Sequence, residues 1–505
     1  MYTSRGFREW EMGDIDVIRR GKEYHLFHLV LPNHDYIAHA VSLDGMTWTR
    51  TRNALFTGEP GTWDDDMLWT MHVSRNPVRK VYEMFFTGLH RAENGHIQRI
   101  GRAVSRDLLH WKKENDQGLP LAPQGLIYES AGKGERGWIS FRDPFLFRNE
   151  GNDWLLICAR VVQGIASRRG CVGLVQRSAD GYALVEPLFF PRMYDDIECP
   201  CMAELDGWFY LIGSVREDVE VHYWWSNSFR GEYQSFRHNV LLPRGNYAAR
   251  VMVDGGRALV FNVFIDGLDV ESGVRSIPPP KELRKSLHGG LELVTYHRWE
   301  EKKLGTRPLS REAFASHLAN PKASCTGTAE SLTFCSTNGY EIFTVPEDDG
   351  AYLWSGRIRV RQQGQCGFVF GLDDHLGGYF ISLDAVRGVA QIRAWGSRPE
   401  RVFRNYIYED LQLGTFPPST DGSYLFSLLR WGSYIELSID GVVRLTLVDG
   451  QFNGRNLGIF VESAEVELAS QTLFALAPPS ADGSSPPARK STSLPGGSAF
   501  GGDTV

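Results

Sequence analysis

YHLFHLV, residues 24–30, is an apolar run broken only by histidines, and it decides the fold because it returns along the chain. YEMFFTGL (82–89), WLLICAR (154–160), WFYLIGS (208–214) and RALVFNV (257–263) follow at spacings of 58, 72, 54 and 49 residues. Continuous apolar runs without alternation belong to strands buried on both faces. Repeats of this length in a β-rich chain point to propeller blades, with these runs as their inner strands. HAVSLDGMTW (39–48), RAVSRDLLHW (102–111) and VQRSADGYAL (175–184) trail the first three runs, and a degenerate WSNSFRGEY (225–233) trails the fourth. Each places a tight turn ahead of an aromatic or apolar anchor, as a hairpin requires. Five such units close radially and leave only short edges. Residues 1–280 are therefore expected to form a five-bladed β-propeller.

The triple proline at 278–280 interrupts any sheet, and EAFASHLAN (312–320) is compatible with a short helix, so 281–324 reads as a connector. Strand-like segments at intervals of about ten residues then run through 325–476, separated by Gly, Asp and Asn turns, and predict a β-sandwich. Residues 477–505 are rich in Pro, Gly and Ser without apolar periodicity and read as a disordered tail. The fold class is all-β.

Composition narrows the function. The chain has 505 residues, 42% hydrophobic and 23% charged, with a net charge of -7. An acidic balance without a basic stripe argues against a nucleic-acid partner. MYTSRGFREWEMGD lacks the apolar segment of a secretory leader, and no apolar run nears the roughly 18 residues of a membrane span. No membrane partner and a cytoplasmic location are expected. The seven cysteines have no framework spacing, and Cys199-x-Cys201 lacks a second ligand pair, so neither disulfides nor a metal centre is expected.

Three acidic landmarks stand at the starts of successive strand units. MGDID carries Asp14 and Asp16, which share a face if the strand alternates regularly, so either is eligible as the reactive carboxylate. FRDPFLF carries Arg142-Asp143-Pro144, where an adjacent guanidinium is expected to depress the Asp143 pKa and keep it ionised. DDIECPCM carries Glu198, for which Ile197 and Cys199 are expected to supply a poorly solvated setting suited to a general acid. Carboxylates in pairs flanking a glycosidic bond are the apparatus for cleaving sugars.

In motif order the propeller resembles glycoside hydrolase family 32, the invertase, inulinase and levanase family. The family's W-M-N-D-P-N-G is echoed by Glu11 to Val17, its Y-H-L-F by Tyr24 to Phe27, and its W-G-H-A-x-S-x-D by Ile37 to Asp44. F-R-D-P is kept as Phe141 to Pro144, E-C-P as Glu198 to Pro200, and a later F-Y-A-P is echoed by Asn246 to Ala249, which includes Tyr247. PPPKELRKSLHGGLEL is similar to the segment leading from propeller to sandwich. The resemblance implies a retaining glycoside hydrolase acting on β-fructofuranosides or a related furanoside. Asp14 is implied as nucleophile, Asp143 as the hydroxyl-binding stabiliser and Glu198 as acid/base, with an oligosaccharide or glycoside substrate and no cofactor.

The departures fall around the nucleophile. Gly13 replaces Asn, Ile15-Asp16-Val17 replaces Pro-Asn-Gly, Leu29 replaces Gln, Ile37 replaces Trp, and Leu68-Trp69-Thr70-Met71 stands where the family has W-S-G-S. In the family these positions line the pocket for the terminal fructose. Asp16, Trp63, Asp64, Trp69 and His72 are candidates for a rebuilt sugar-reading shell, beside Arg142 and Tyr247. A fructosyltransferase, an inverting arabinofuranosidase or arabinanase on a related propeller, and a non-catalytic carbohydrate-binding propeller remain as alternatives. The sandwich is left open as a contributor to the site or as the interface of a homo-oligomer.

Overall fold

The computed structural model describes residues 11–115, 118–130, 136–266, 274–347, 350–397 and 406–479. Most of the expected tail, 480–505, lies outside the described residues. Five antiparallel sheets follow one another as the blades of a propeller. Blade 1 comprises Glu11–Arg20, Glu23–Leu31, Tyr36–Ser42 and Thr49–Arg50, and blade 2 comprises Met67–Asn76, Val81–Leu89, Gln98–Ser105 and Lys112–Glu114. Blade 3 is built from Phe141–Asn149, Asn152–Arg160, Gly170–Ser178 and Gly181–Phe189, and blade 4 from Glu198–Leu205, Trp208–Val215, Glu220–Ser226 and Val240–Leu242.

The repeated apolar runs are the second strands of the blades, one place further out than expected. A second strand is flanked by strands on both sides and by the next blade on each face, so it is buried throughout. Phe27 and Leu29 of blade 1, for example, share a core with Leu68, Met71, Met84 and Phe86 of blade 2. The innermost strands precede the runs and line the axis, which leaves them free to carry polar residues.

Blade 5 revises the expected boundary at 280. After Asn246–Asp254 and Arg257–Asp266 it is completed by Lys281–Lys285 and Leu291–Val294, both beyond the triple proline. Leu283, Leu291 and Leu293 are buried against the cores of blades 3 and 4, with charged residues between them facing outward. Among the described residues every blade uses consecutive segments, and no strand passes from the last blade to the first. The seam between blades 1 and 5 is held by side chains. Tyr24 Oη donates to Asp254 (2.5 Å), and the segment after blade 5 reaches across to blade 1 through Tyr296 Oη to the Asp44 carbonyl (3.1 Å) and Lys302 Nζ to the Asp44 carboxylate (3.0 Å).

The rest of the expected connector joins the sandwich. Lys303–Arg307 pairs with Glu465–Leu476, and Ala315–Ser316 pairs with Tyr340–Pro346. In place of the expected helix at 312–320 there is a 3-10 turn, Arg311–Ala313, ahead of that short strand. Sheets of eight and seven strands enclose a core in which the Trp354 ring lies 5.5 Å from Phe368 and 5.4 Å from Phe426. The sandwich packs on the propeller through Asn246 Nδ2 to the Thr446 carbonyl (3.0 Å), Gln412 Nε2 to the Arg244 carbonyl (2.7 Å) and Trp299 stacked on Tyr434. No helix among the described residues is long and apolar enough to cross a membrane.

Candidate active site

Each innermost strand breaks register near its start. The breaks fall between Met12 and Ile15, Trp69 and Met71, Arg142 and Phe145, Glu198 and Cys201, and Tyr247 and Arg250. A bulge inserts an unpaired residue and re-aims its side chain. Asp143, Cys199 and Ala248, in equivalent places, have φ of 59°, 48° and 49°, in the left-handed region. Backbone held there costs on the order of 1–3 kcal/mol per residue and persists only where the surroundings enforce it.

The bulges in blades 1, 2 and 3 and the paired residues just ahead of the bulges in blades 4 and 5 assemble one layer of side chains. Thr70 Oγ1 donates to Asp14 Oδ2 at 2.5 Å. An oxygen of Asp14, an oxygen of Asp143 and the Cys199 sulfur lie within 4.8 Å of one another. The Cys199 N–H donates to Asp143 Oδ2 (2.9 Å), and the Asp143 N–H donates to Thr87 Oγ1 (3.2 Å). Arg142 Nη2 donates to Glu198 Oε1 at 2.5 Å and to Asp196 Oδ2 at 2.9 Å. Tyr247 Oη donates to the other Glu198 oxygen. Blades 1, 3 and 4 thus give a carboxylate each, blade 2 a hydroxyl and blade 5 a phenol.

The electrostatics differ from the sequence expectation at Asp143. Burial raises its pKa to about 6, Arg142 opposes this from 3.7 Å, and the negative charges of Asp14 and Glu198 raise it further. Desolvation outweighs the adjacent guanidinium because that guanidinium is shared with Asp196 and Glu198. Asp196 is also buried, but Arg142 and Arg136 hold its carboxyl below the usual range. The Glu198 carboxylate meets Arg142 and Tyr247, polar partners that the flanking Ile197 and Cys199 did not suggest. Burial, reinforced by the Glu198 charge, pushes the Tyr247 phenol upward, so it stays protonated and able to donate.

A second layer lies beneath. Asp16 is buried, accepting from the Val73 N–H (2.6 Å), with His72 at 3.3 Å and Arg250 Nε at 3.7 Å. The His72 ring lies 4.3 Å from Phe145, and Arg250 Nη1 donates to the carbonyls of Cys199 and Pro200. Residues from all five inner strands meet here and close the axial channel as a floor. The bulge at Gly13-Asp14 explains why Asp14 and Asp16 lie in different layers: it takes Asp14 out of the regular ladder, while Asp16 stays paired with Phe27.

Four of the proposed shell residues are thereby relocated. Asp16 and His72 belong to the floor. Trp63 packs inside blade 2 against Phe86 (5.6 Å) and over Gly88, where an added Cβ would fall 2.4 Å from its ring. Asp64 is buried against Lys113 and Thr62. Trp69 remains beside the catalytic layer, next to Thr70 and 5.9 Å from the His34 ring, which is close enough to Asp14 to feel its charge. Its buried indole N–H has no acceptor among the described residues. Gly13 and Leu29 prove to be one change, since a Cβ at 13 would lie 2.8 Å from Leu29 Cβ. Thr70 lies in the stretch that stands where the family has W-S-G-S but was not singled out there, and Thr87, His34 and Asp196 are site residues that were not picked out either.

The pattern described as "Glycosyl hydrolases family 32 N-terminal domain" matches residues 12–254. Among solved structures, the sucrose-6-phosphate hydrolase of Lactobacillus gasseri aligns with a TM-score of 0.68 at 14% identity, over 92% of this chain and 91% of that one. The exo-inulinase of Aspergillus awamori aligns with a TM-score of 0.67 at 13% identity, over 92% and 96%. A Bombyx mori GH32 β-fructofuranosidase aligns with a TM-score of 0.63 at 14% identity, over 92% and 91%. These identities speak to the shared propeller and sandwich. A comparison with curated protein sequences found no match. With its carboxylates in one layer at the starts of the inner strands and the family pattern across its blades, residues 12–254 are a glycosyl hydrolases family 32 N-terminal domain.

Proposed function

We propose that the protein hydrolyses β-fructofuranosides with retention of configuration through a covalent glycosyl-enzyme. The observation that carries this reading is the convergence of Asp14, Asp143 and Glu198 in one layer, with Asp14 and Asp143 oxygens within 4.8 Å and Glu198 gripped by Arg142 and Tyr247. In the first step Glu198, protonated, gives its proton to the glycosidic oxygen while an Asp14 oxygen forms a bond to the anomeric carbon and the leaving alcohol departs. In the second, Glu198 as carboxylate takes a proton from water, whose oxygen attacks the same carbon and releases Asp14. Two inversions give net retention. Thr70 holds the attacking carboxylate in place, and Asp143 accepts hydrogen bonds from sugar hydroxyls, ionised above its pKa of about 6.

The named activities of the structural neighbours, a sucrose-6-phosphate hydrolase and an exo-inulinase, support the fructofuranoside class. The paired change at Gly13 and Leu29, beside Asp14, sets this chain apart within it. Proton NMR of the first product released from sucrose and from inulin tests the proposal. The β-anomer of fructose is expected to appear before mutarotation. An α-anomer would remove Asp14 from the nucleophile role, and no release from any fructofuranoside would move the substrate to another furanoside.

A further inference from the structure

Trp138 stands four residues ahead of Arg142, on the loop that enters the innermost strand of blade 3 from the carboxylate side. It is 39% exposed, an uncommon state for the largest side chain, and it belongs to none of the apolar cores. Its neighbours on both sides are nevertheless fixed. The Gly137 carbonyl accepts from His96 Nδ1, and the Ile139 N–H donates to the His96 carbonyl at 3.0 Å.

The indole itself is braced from one side. The Arg136 guanidinium lies 4.5 Å from the ring centroid, where a cation is attracted to the aromatic face. That guanidinium is oriented by Asp195 Oδ2 (2.7 Å), Ser140 Oγ (2.5 Å) and Asp196 Oδ1 (3.3 Å). Asp196 in turn accepts from Arg142, which holds Glu198. A rigid chain of polar contacts thus runs from the exposed ring to Glu198. An aromatic plate braced by an oriented cation loses less entropy when it receives a partner, and its exposed surface suits the apolar face of a sugar ring.

We infer that Trp138 is a stacking platform for a carbohydrate unit on the leaving-group side of the scissile bond, beyond the sugar directly attached there. The side follows from the link to Glu198, the group that protonates the leaving oxygen. The remoteness follows from the length of that link, which passes through two guanidinium groups and a carboxylate. The platform makes the enzyme prefer oligosaccharides over the disaccharide. This rests on the fructofuranosidase reading.

The test uses the full-length protein with sucrose, 1-kestose and nystose as substrates. Trp138→Ala should lower kcat/KM about tenfold on kestose and nystose, mainly through KM, and leave sucrose within about twofold, as expected for loss of one aromatic stacking contact. Trp138→Phe should recover most of the loss. An equal loss on all three substrates, or none on any, overturns the platform while leaving the fructofuranosidase reading intact. A changed sedimentation coefficient in Trp138→Ala with unchanged length preference would assign the ring to contact between copies and also overturn it. Failure of the parent protein to cleave any of the three removes the underlying reading and the platform with it.

Discussion

Two layers of the same five strands sit one above the other, and they treat charge in opposite ways. In the upper layer, carboxylates crowd together, with Asp14 and Asp143 oxygens within 4.8 Å, and the pKa of Asp143 rises. In the floor, a single carboxylate, Asp16, is met by Arg250, His72 and a backbone N–H. Like charges held close are a tension that a reaction can use. Opposite charges neutralise one another and brace the axis. What separates the layers is the bulge, which takes Asp14, Thr70 and Asp143 out of the regular ladder, with Glu198 and Tyr247 paired at its upper edge and the lower residues paired below it.

The contrast is broken most directly at the reacting groups. Glu198→Gln and Asp14→Asn should each reduce kcat on the best fructofuranoside by about 10³-fold or more, with little change in the thermal midpoint. A large loss of stability instead would put these residues with the floor. Asp16→Asn should do the reverse: it leaves Arg250 buried without its counter-charge and should cost about 3 kcal/mol of stability. The thermal midpoint should fall, while kcat measured well below it stays within about threefold. A thousandfold loss of kcat in a stable Asp16→Asn protein would return Asp16 to the catalytic layer.

Thr70→Val sharpens the comparison from the side. Removing the hydroxyl that donates to Asp14 should lower kcat about tenfold, the scale of one hydrogen bond to a charged group, with KM nearly unchanged. Equal kcat would show that Asp14 is held by the backbone alone.

Acid probes a third place, the frame of blade 1. Burial lowers the His28 pKa to about 4, and burial with the neighbouring His25 and His28 lowers that of His39 to about 3. Both lie below the unfolded value of 6.5, so the neutral forms favour folding. This stability is intact above about pH 6.5 and is lost as pH falls toward 4, by about 1 kcal/mol per histidine per pH unit. Thermal midpoints at pH 7 and pH 5 should show the decline, and His39→Gln should make it shallower.

Much of this arrangement was legible before any coordinates. The apolar runs announce the blades because second strands are buried on both faces, and Asp14, Asp143 and Glu198 stand out by their place ahead of them. Blade 5 was cut short at 280 because Lys281–Lys285 carries four charged residues around Leu283, directly after three prolines. Asp16 falls in the floor for a different reason: spacing along a strand predicts a shared face only where pairing is regular, and here a bulge intervenes. Trp63 and Asp64 sit in an aromatic and acidic stretch that looks ligand-facing, yet two glycines, Gly88 and Gly101, make room for the indole inside the blade. Thr87 was invisible and Thr70 was legible only as part of an altered stretch, because a hydroxyl gains its role only from what lies opposite it.

The seam between the first and last blades has a temporal meaning. Among the described residues no strand is shared across it, and beside Tyr24 on Asp254 the circle is fastened by Tyr296 and Lys302, which lie downstream of every blade. A chain emerging from the ribosome therefore gains these last two seam contacts only when residue 302 is free. The natural unit of folding is consequently longer than the unit of catalysis.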